Sequence, residues 1–336
     1  MRADTSIFPD QVKNLVLNKQ LIKPGQEAIV KLDVGRLHSG TRIVISLFVY
    51  RSEYPGPTAL IMGGVHGDEI NGVEIVRRAI DNELFKNLLA GTVIAIPVVN
   101  VYGFINFSRD IAEGKDVNRN FPGSRSGSLA SRIAHLIARS VLPDAHVVVD
   151  FHTGGASRYN YPQVRYTKSS PESLVVATHF APRFILEKPV IRGSLRKVAR
   201  DANVPMIVYE GGEALRLDGF AIDRGLQGMR RLLAGLGMIG IQTDLPPAEA
   251  SVHVQKCSWL RASRAGIFTW TKSSGACVTK GEPLALITDP YGTKTIPVLA
   301  NKSGFILAHN NAPIVHQGDA LFNIAYQFST LSKPLQ

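Results

Sequence analysis

Five apolar runs before residue 211 limit what this chain can fold into. "TRIVISLFVY" (Thr41 to Tyr50) is β-branched and aromatic, and "TALIMGG" (Thr58 to Gly64) follows a "PGP" breaker. "TVIAIPVVN" (Thr92 to Asn100), "HVVVDF" (His146 to Phe151) and "VPMIVYE" (Val204 to Glu210) are almost uninterrupted. A strand packed on one face alternates apolar with polar residues, whereas an unbroken run suits a strand buried on both faces. Helical periods lie between the runs. In "SLASRIAHLIARSVL", Leu129, Ile133, Leu136, Ile137 and Val141 recur at helical spacing, with Ser128 as the expected N-cap. The stretch "NGVEIVRRAIDNELFKNLL", from Asn71, reads likewise. Strand and helix alternating over about 200 residues predict an α/β domain with a mixed, mostly parallel sheet flanked by helices. That domain is expected over residues 1–245, with an N-terminal β segment at about 1–50.

The texture changes after "DLPPAEA" (Asp244 to Ala250). Short β-type runs such as "GIFTW", "PLALI", "TIPVL" and "SGFILA" alternate with Gly-containing turns, which predicts a small all-β domain over residues 250–330. Its pattern resembles the barrel-sandwich of biotinyl and lipoyl domains. The methionines that usually flank a carrier lysine are missing around Lys294, so a lid or an oligomerisation module is the expected role. A homo-oligomer is therefore among the expected assemblies.

Composition excludes several classes. Apolar residues are 45% and charged residues 19% of the 336, an ordinary globular balance. No apolar run nears the roughly 20 residues of a membrane span, and "MRADTSIFPDQVKN" lacks the apolar core of a secretory leader. Cys257 and Cys277 are too few for a disulfide framework or a thiolate zinc site. A cytoplasmic protein with no membrane partner is the expectation. The net charge of +11 suits nucleic acid, an anionic surface or an acidic small substrate. The densest basic stretch, "PRFILEKPVIRGSLRKVAR" (Pro182 to Arg200), reads as a solvated helix face without a nucleic-acid motif. The charge alone settles little; together with the Asn118-Arg119 pair of the loop described below, it favours a small carboxylate as the partner, and no nucleic-acid partner is expected.

The polar residues that could do chemistry cluster at strand ends. His66 comes two residues beyond "TALIMGG", His152 follows "HVVVDF", Glu210 closes "VPMIVYE", and Asn100 ends another run. In open α/β sheets, ligands bind outside the carboxyl ends of the strands. His66 and Glu69 have the H-x-x-E spacing that brings an imidazole and a carboxylate to one side of a turn. His152, from a neighbouring strand end, would complete a His₂Glu set, and three ligands leave the fourth position open, as in catalytic zinc sites. Asp68 competes for the carboxylate role, but at i+2 from His66 it points elsewhere in a helical turn, so Glu69 is preferred. The long loop "NVYGFINFSRDIAEGKDVNRNFPG" carries Arg109, Asn118 and Arg119. Beside a metal, these arginines suit a carbonyl polariser and a carboxylate anchor.

"GGVHGDE", "SRDIAEGKDVNRNFPG", "VVVDFHTGG" and "VYEGG", in this order, resemble the succinylglutamate desuccinylase/aspartoacylase family of the zinc carboxypeptidase-like superfamily. The resemblance runs from about Tyr50 to Gly240 and extends to the β-rich C-terminal region. It implies one Zn²⁺ per chain on His66, Glu69 and His152. It also implies a general base at Glu210, an oxyanion-stabilising arginine at Arg109 and a carboxylate-binding pair at Asn118 and Arg119. "DVNR" stands where "DLNR" is common. A counterpart of the tyrosine that some relatives place at the substrate stays open among Tyr159, Tyr161 and Tyr209. The function so implied is zinc-dependent hydrolysis of the amide bond of an N-acyl amino acid or related small carboxylate. Glu213 is the reserve for the base.

Two rivals share these residues. A metallocarboxypeptidase or peptidoglycan-peptide hydrolase would use the same ligands but an open cleft. A binding protein with a degenerate site would use the basic surface. H-E-x-x-H, the G-x-S-x-G elbow and the P-loop pattern are all missing from the sequence, which leaves serine chemistry and nucleotide hydrolysis without support.

Overall fold

A computed structural model describes residues 14–331. Residues 1–13, read above as leaderless and as the start of the β segment, lie outside the described residues. A short hairpin, β1 (Leu15–Leu17) with β2 (Gln20–Ile22), leads into a long antiparallel pair, β3 (Glu27–Arg36) and β4 (Arg42–Arg51). Then come β5 (Thr58–Gly63), α1 (Ile70–Asp81), β6 (Thr92–Ile96), α2 (Val101–Ile105), α3 (Leu129–Ser140) and β7 (Val147–Gly154). These are followed by β8 (Arg158–Tyr166), α4 (Pro171–Phe180), β9 (Phe184–Glu187), α5 (Leu195–Asp201), β10 (Met206–Glu213) and α6 (Gly219–Gly235). The rest of the chain is strand: β11 (Val252–Arg261), β12 (Gly266–Trp270), β13 (Cys277–Val278) and β14 (Pro283–Thr288). It ends with β15 (Thr295–Leu299), β16 (Gly304–Asn310), β17 (Ile314–Val315) and β18 (Ala320–Thr330).

Twelve strands form one sheet in the order β13-β16-β18-β11-β9-β8-β10-β7-β5-β6-β4-β3, and β15-β14-β12-β17 form a second. Four of the five apolar runs behave as expected, with β5, β6, β7 and β10 buried along their whole length, while β4 mostly alternates buried with partly exposed residues. Successive side chains on such a strand point to opposite faces. Leu60 and Met62 enter the core under α3 and α5, while Ala59 and Ile61 enter the core under α1, α4 and α6. Ser128 caps α3, its side chain accepting from the Ser131 amide.

The sheet is mixed but not mostly parallel. Parallel pairing joins β6, β5, β7 and β10, and separately β8, β9 and β11. The remaining pairs are antiparallel and outnumber them. Burial on both faces determined the apolar runs, and burial says nothing about the direction of a neighbour. The basic stretch also differs from its reading as one helix face. Phe184, Ile185 and Leu186 are the buried strand β9, and only Leu195–Asp201 is helical. The C-terminal strands continue the main sheet, because β11 pairs with β9 and β16 pairs with β8. No helix among the described residues is long and apolar enough to cross a membrane.

Candidate metal centre and cleft

The four parallel strands deliver their carboxyl ends to one edge. Gly63 of β5 is level with Phe151 of β7, and His152 is level with Glu210 of β10. Beyond β5 the chain turns through Gly64, whose φ of 63° is left-handed and suits glycine. His66 then lies in the turn and Glu69 is the N-cap of α1. The H-x-x-E pair therefore spans the turn before the helix.

His66, Glu69 and His152 offer ligand atoms within 4.8 Å of one another. His66 Nδ1 lies 2.6 Å from Glu69 Oε1, and His152 Nδ1 lies 2.8 Å from Glu69 Oε2. The two Nδ1 atoms are 3.2 Å apart, a contact between nitrogens that only a shared proton or cation makes favourable. Exposures of 4%, 2% and 4% leave little water to satisfy them. Each imidazole also has a carboxylate behind it. His152 Nε2 lies 2.8 Å from Asp150 Oδ2, and His66 Nε2 lies 3.1 Å from Asp116 Oδ1. A proton on each Nε2, donated to those carboxylates, turns both Nδ1 lone pairs toward Glu69, the tautomer that metal-bound histidines take. These residues therefore fit a divalent metal.

The electrostatics follow from the packing. Burial pushes the Glu69 carboxyl up, but the two imidazoles hold it well below the ordinary carboxylate range. Burial disfavours charge on His66 and His152 as well, and their carboxylate neighbours override it and raise both. Asp68 lies outside the cluster, its carboxyl pushed up by burial and by neighbouring Glu69.

A cleft of about 480 Å³ opens over this centre. Arg109, Arg119, Arg158, Arg165 and Arg196 line it, with Glu69 and Glu210 as its acids. Arg109 Nη1 is 3.1 Å from Glu69 Oε1, and its Nη2 donates to Asp116 Oδ2 at 2.8 Å. A dication on Glu69 would compete with this guanidinium for the same oxygen. The Asn118 side-chain oxygen accepts from the Leu195 amide at 2.9 Å, which leaves Nδ2 as the atom it can offer a ligand. Arg119 Nη1 donates to the Asn118 carbonyl at 2.7 Å and remains partly exposed. Glu210 is held at both oxygens, by Arg165 Nη1 at 2.5 Å and by Asn160 Nδ2 at 2.8 Å. His66, Glu69, His152, Arg109, Asn118, Arg119 and Glu210 thus line one cleft.

Other candidates fall elsewhere. Glu213 accepts from Asn311 Nδ2 and lies outside the cleft lining. Tyr159, Tyr161 and Tyr209 are not among the lining residues, and the Tyr209 hydroxyl donates to the Ala221 carbonyl inside the core. The sequence reading passed over Asp116, Asp150, Asn160, Arg165, Arg196 and Trp259. Asp150 was legible in principle, since i and i+2 of a strand share a face. Arg196 Nη1 is buried without a partner, and burial pushes its guanidinium down to about 10.

The succinylglutamate desuccinylase/aspartoacylase catalytic-domain model matches residues 55–236. An N-alpha-acetyl-L-2,4-diaminobutyric acid deacetylase of Halomonas elongata is 26% identical over 317 residues, covering 89% of this chain and 91% of the relative. The product-bound ectoine utilization protein EutE (DoeB) of Ruegeria pomeroyi superposes with a TM-score of 0.80 at 22% identity, over 94% of this chain and 100% of that one. A succinylglutamate desuccinylase/aspartoacylase of Rhodobacter sphaeroides gives 0.77 at 23% identity, over 91% and 96%.

Proposed function

Because the chain belongs to the succinylglutamate desuccinylase/aspartoacylase family, we propose that it hydrolyses the amide bond of an N-acyl amino acid, or a related small carboxylate, with one Zn²⁺ held by His66, Glu69 and His152. The observation that carries this reading is the convergence of those three side chains, with the Nε2 of each of the two imidazoles backed by a carboxylate, beneath a cleft that also holds Glu210. When bound, such an ion supplies Lewis acidity and lowers the pKa of water from 15.7 toward about 7.

The chain's own residues supply the rest. Glu210 takes a proton from the attacking water and returns it to the nitrogen that leaves as the C–N bond breaks. Its two tethered oxygens still have free lone pairs for that water, because a carboxylate offers about four acceptor sites. Arg109 faces the oxyanion that grows on the acyl carbonyl. Asn118 Nδ2 and the Arg119 fork hold the substrate carboxylate, so the scissile amide lies beside Glu210. Trp259, from β11, forms part of the cleft wall. A wall contributed by the C-terminal strands suits a small acyl substrate better than a polypeptide.

The test is Glu210→Gln assayed on a panel of N-acetyl and N-succinyl amino acids. N-α-acetyl-2,4-diaminobutyrate, the compound named for the Halomonas relative, belongs in it. The wild type should turn over at least one member, and Glu210→Gln should keep its metal and lose nearly all turnover. Full activity in Glu210→Gln would move the base elsewhere, with Glu213→Gln the next variant to assay.

A further inference from the structure

Strand β8 runs antiparallel to β10, but not in even register. Glu210 is level with Gln163, whereas Gly212, two residues on, is level with Asn160, three residues back. One extra residue of β8 is therefore taken up between Asn160 and Gln163, where Pro162 stands. A proline suits such a bulge, because it has no amide proton to give a ladder. The bulge decides where Asn160 points. Side chains alternate along a strand, so in even register Asn160 and Gln163 would take opposite faces. The extra residue turns Asn160 to the face of Glu210, and its Nδ2 donates to Glu210 Oε2 at 2.8 Å. On its other side, Asn160 is level with Ala308 of β16, so its backbone is braced by two strands. Both side chains are buried, and Arg165 Nη1 holds the other carboxylate oxygen.

We propose that Asn160 is a positioning residue for the reaction, aimed by the bulge at Pro162 to fix the plane of the Glu210 carboxylate. The terminal torsion of a glutamate is broad, so the side chain itself does not set that plane. One donor would leave the carboxylate free to turn about the contact. Two donors on different oxygens, Arg165 and Asn160, remove that freedom and aim the remaining lone pairs at one place. The C-terminal strands thereby take part in the geometry of the base as well as in the cleft wall, since β16 braces the residue that holds it. The proposal rests on the reading of Glu210 as the base.

Two readouts on the zinc-supplemented protein test this. The first needs no turnover: with ¹⁵N-labelled asparagine, the side-chain NH₂ signals of Asn160 are assigned by their loss in Asn160→Asp. Its bonded proton should move upfield in Glu210→Gln, because a neutral amide accepts more weakly than a carboxylate. The second is kinetic, on whichever N-acyl amino acid turns over. Asn160→Ala should lower kcat about 10–100-fold with KM nearly unchanged, the scale of a misplaced catalytic group. Asn160→Asp keeps the size but sets a like charge against Glu210, so it should be the worse of the two, and either variant suffices if the other does not fold. In the Glu210→Gln background the further loss should shrink toward one, since the base it positions is gone. No shift of the Asn160 signals, an unchanged kcat, a rise in KM alone, or the same loss persisting in Glu210→Gln would each overturn the proposal. The shift in a protein that hydrolyses no N-acyl amino acid would uphold the tether and sink the proposed reaction instead.

Discussion

Asp150 is fully buried within an apolar strand, and its Oδ2 takes the proton of His152 Nε2. That hydrogen bond fixes the tautomer of a proposed ligand, and removing such a partner usually weakens metal affinity 10–100-fold. Asp150→Asn should do so in a competition with a chromogenic chelator, with the fold's circular dichroism retained. The two arginines should separate kinetically. Arg119→Lys should raise KM substantially, since an ammonium cannot reproduce the planar fork on a carboxylate. Arg109→Lys should instead lower kcat, because the oxyanion proposed to face it develops only in the transition state. At this scale, the metal-ligand candidates were legible because two imidazoles and a carboxylate sat at the ends of apolar runs. Arg165, Asn160 and Trp259 were not, since nothing local marks a residue whose importance comes from a strand paired far along the chain.

Among the elements, α1 brings His66 and Glu69 to His152 by lying close against β7. Gly72 makes that approach. A Cβ there would stand 2.3 Å from the Phe151 carbonyl oxygen, so backbone must move to admit it. Gly72→Ala should cost about 1–3 kcal/mol of stability and weaken metal binding with all three proposed ligands still in place. Denaturant unfolding and metal titration of the variant check both effects. Strand β8 shows why part of the site was hidden. "RYNYPQVRY" carries Pro162 in its middle, and because proline cannot donate to a sheet ladder nothing local announces a strand there. The structure nonetheless pairs it with β10, β9 and β16, and it supplies Asn160, Gln163 and Arg165. Strand β11 was missed for a different reason: most of its residues are only half-buried, so no apolar run announces it.

For the molecule as a whole, α/β architecture and the β-rich C-terminal region were readable from periodicity. The direction of the strands and the merging of both regions into one sheet were not, because pairing across more than a hundred residues leaves no local trace. His309, on β16, lies at that junction. It stacks on Tyr159 of β8 and shares a 2.7 Å hydrogen bond with Ser274 Oγ. Burial pushes its imidazole down to about 4, against a pull upward from Asn311. Unfolding frees it to titrate near 6.5. Below that pH the unfolded chain binds the extra proton, so stability is full above about 6.5 and falls as pH drops toward 4. The loss should be on the order of 2–3 kcal/mol, and His309→Gln should remove that part of the slope in urea titrations at pH 7 and pH 4.5.

Metal stoichiometry tests the central claim most directly. Elemental analysis of the purified chain, before and after zinc addition and dialysis, should give about one Zn²⁺ per chain. His66→Ala and His152→Ala should each abolish tight binding while leaving most of the fold intact. A wild-type protein that carries no divalent metal and takes up none on addition would contradict the account, whatever its cleft resembles.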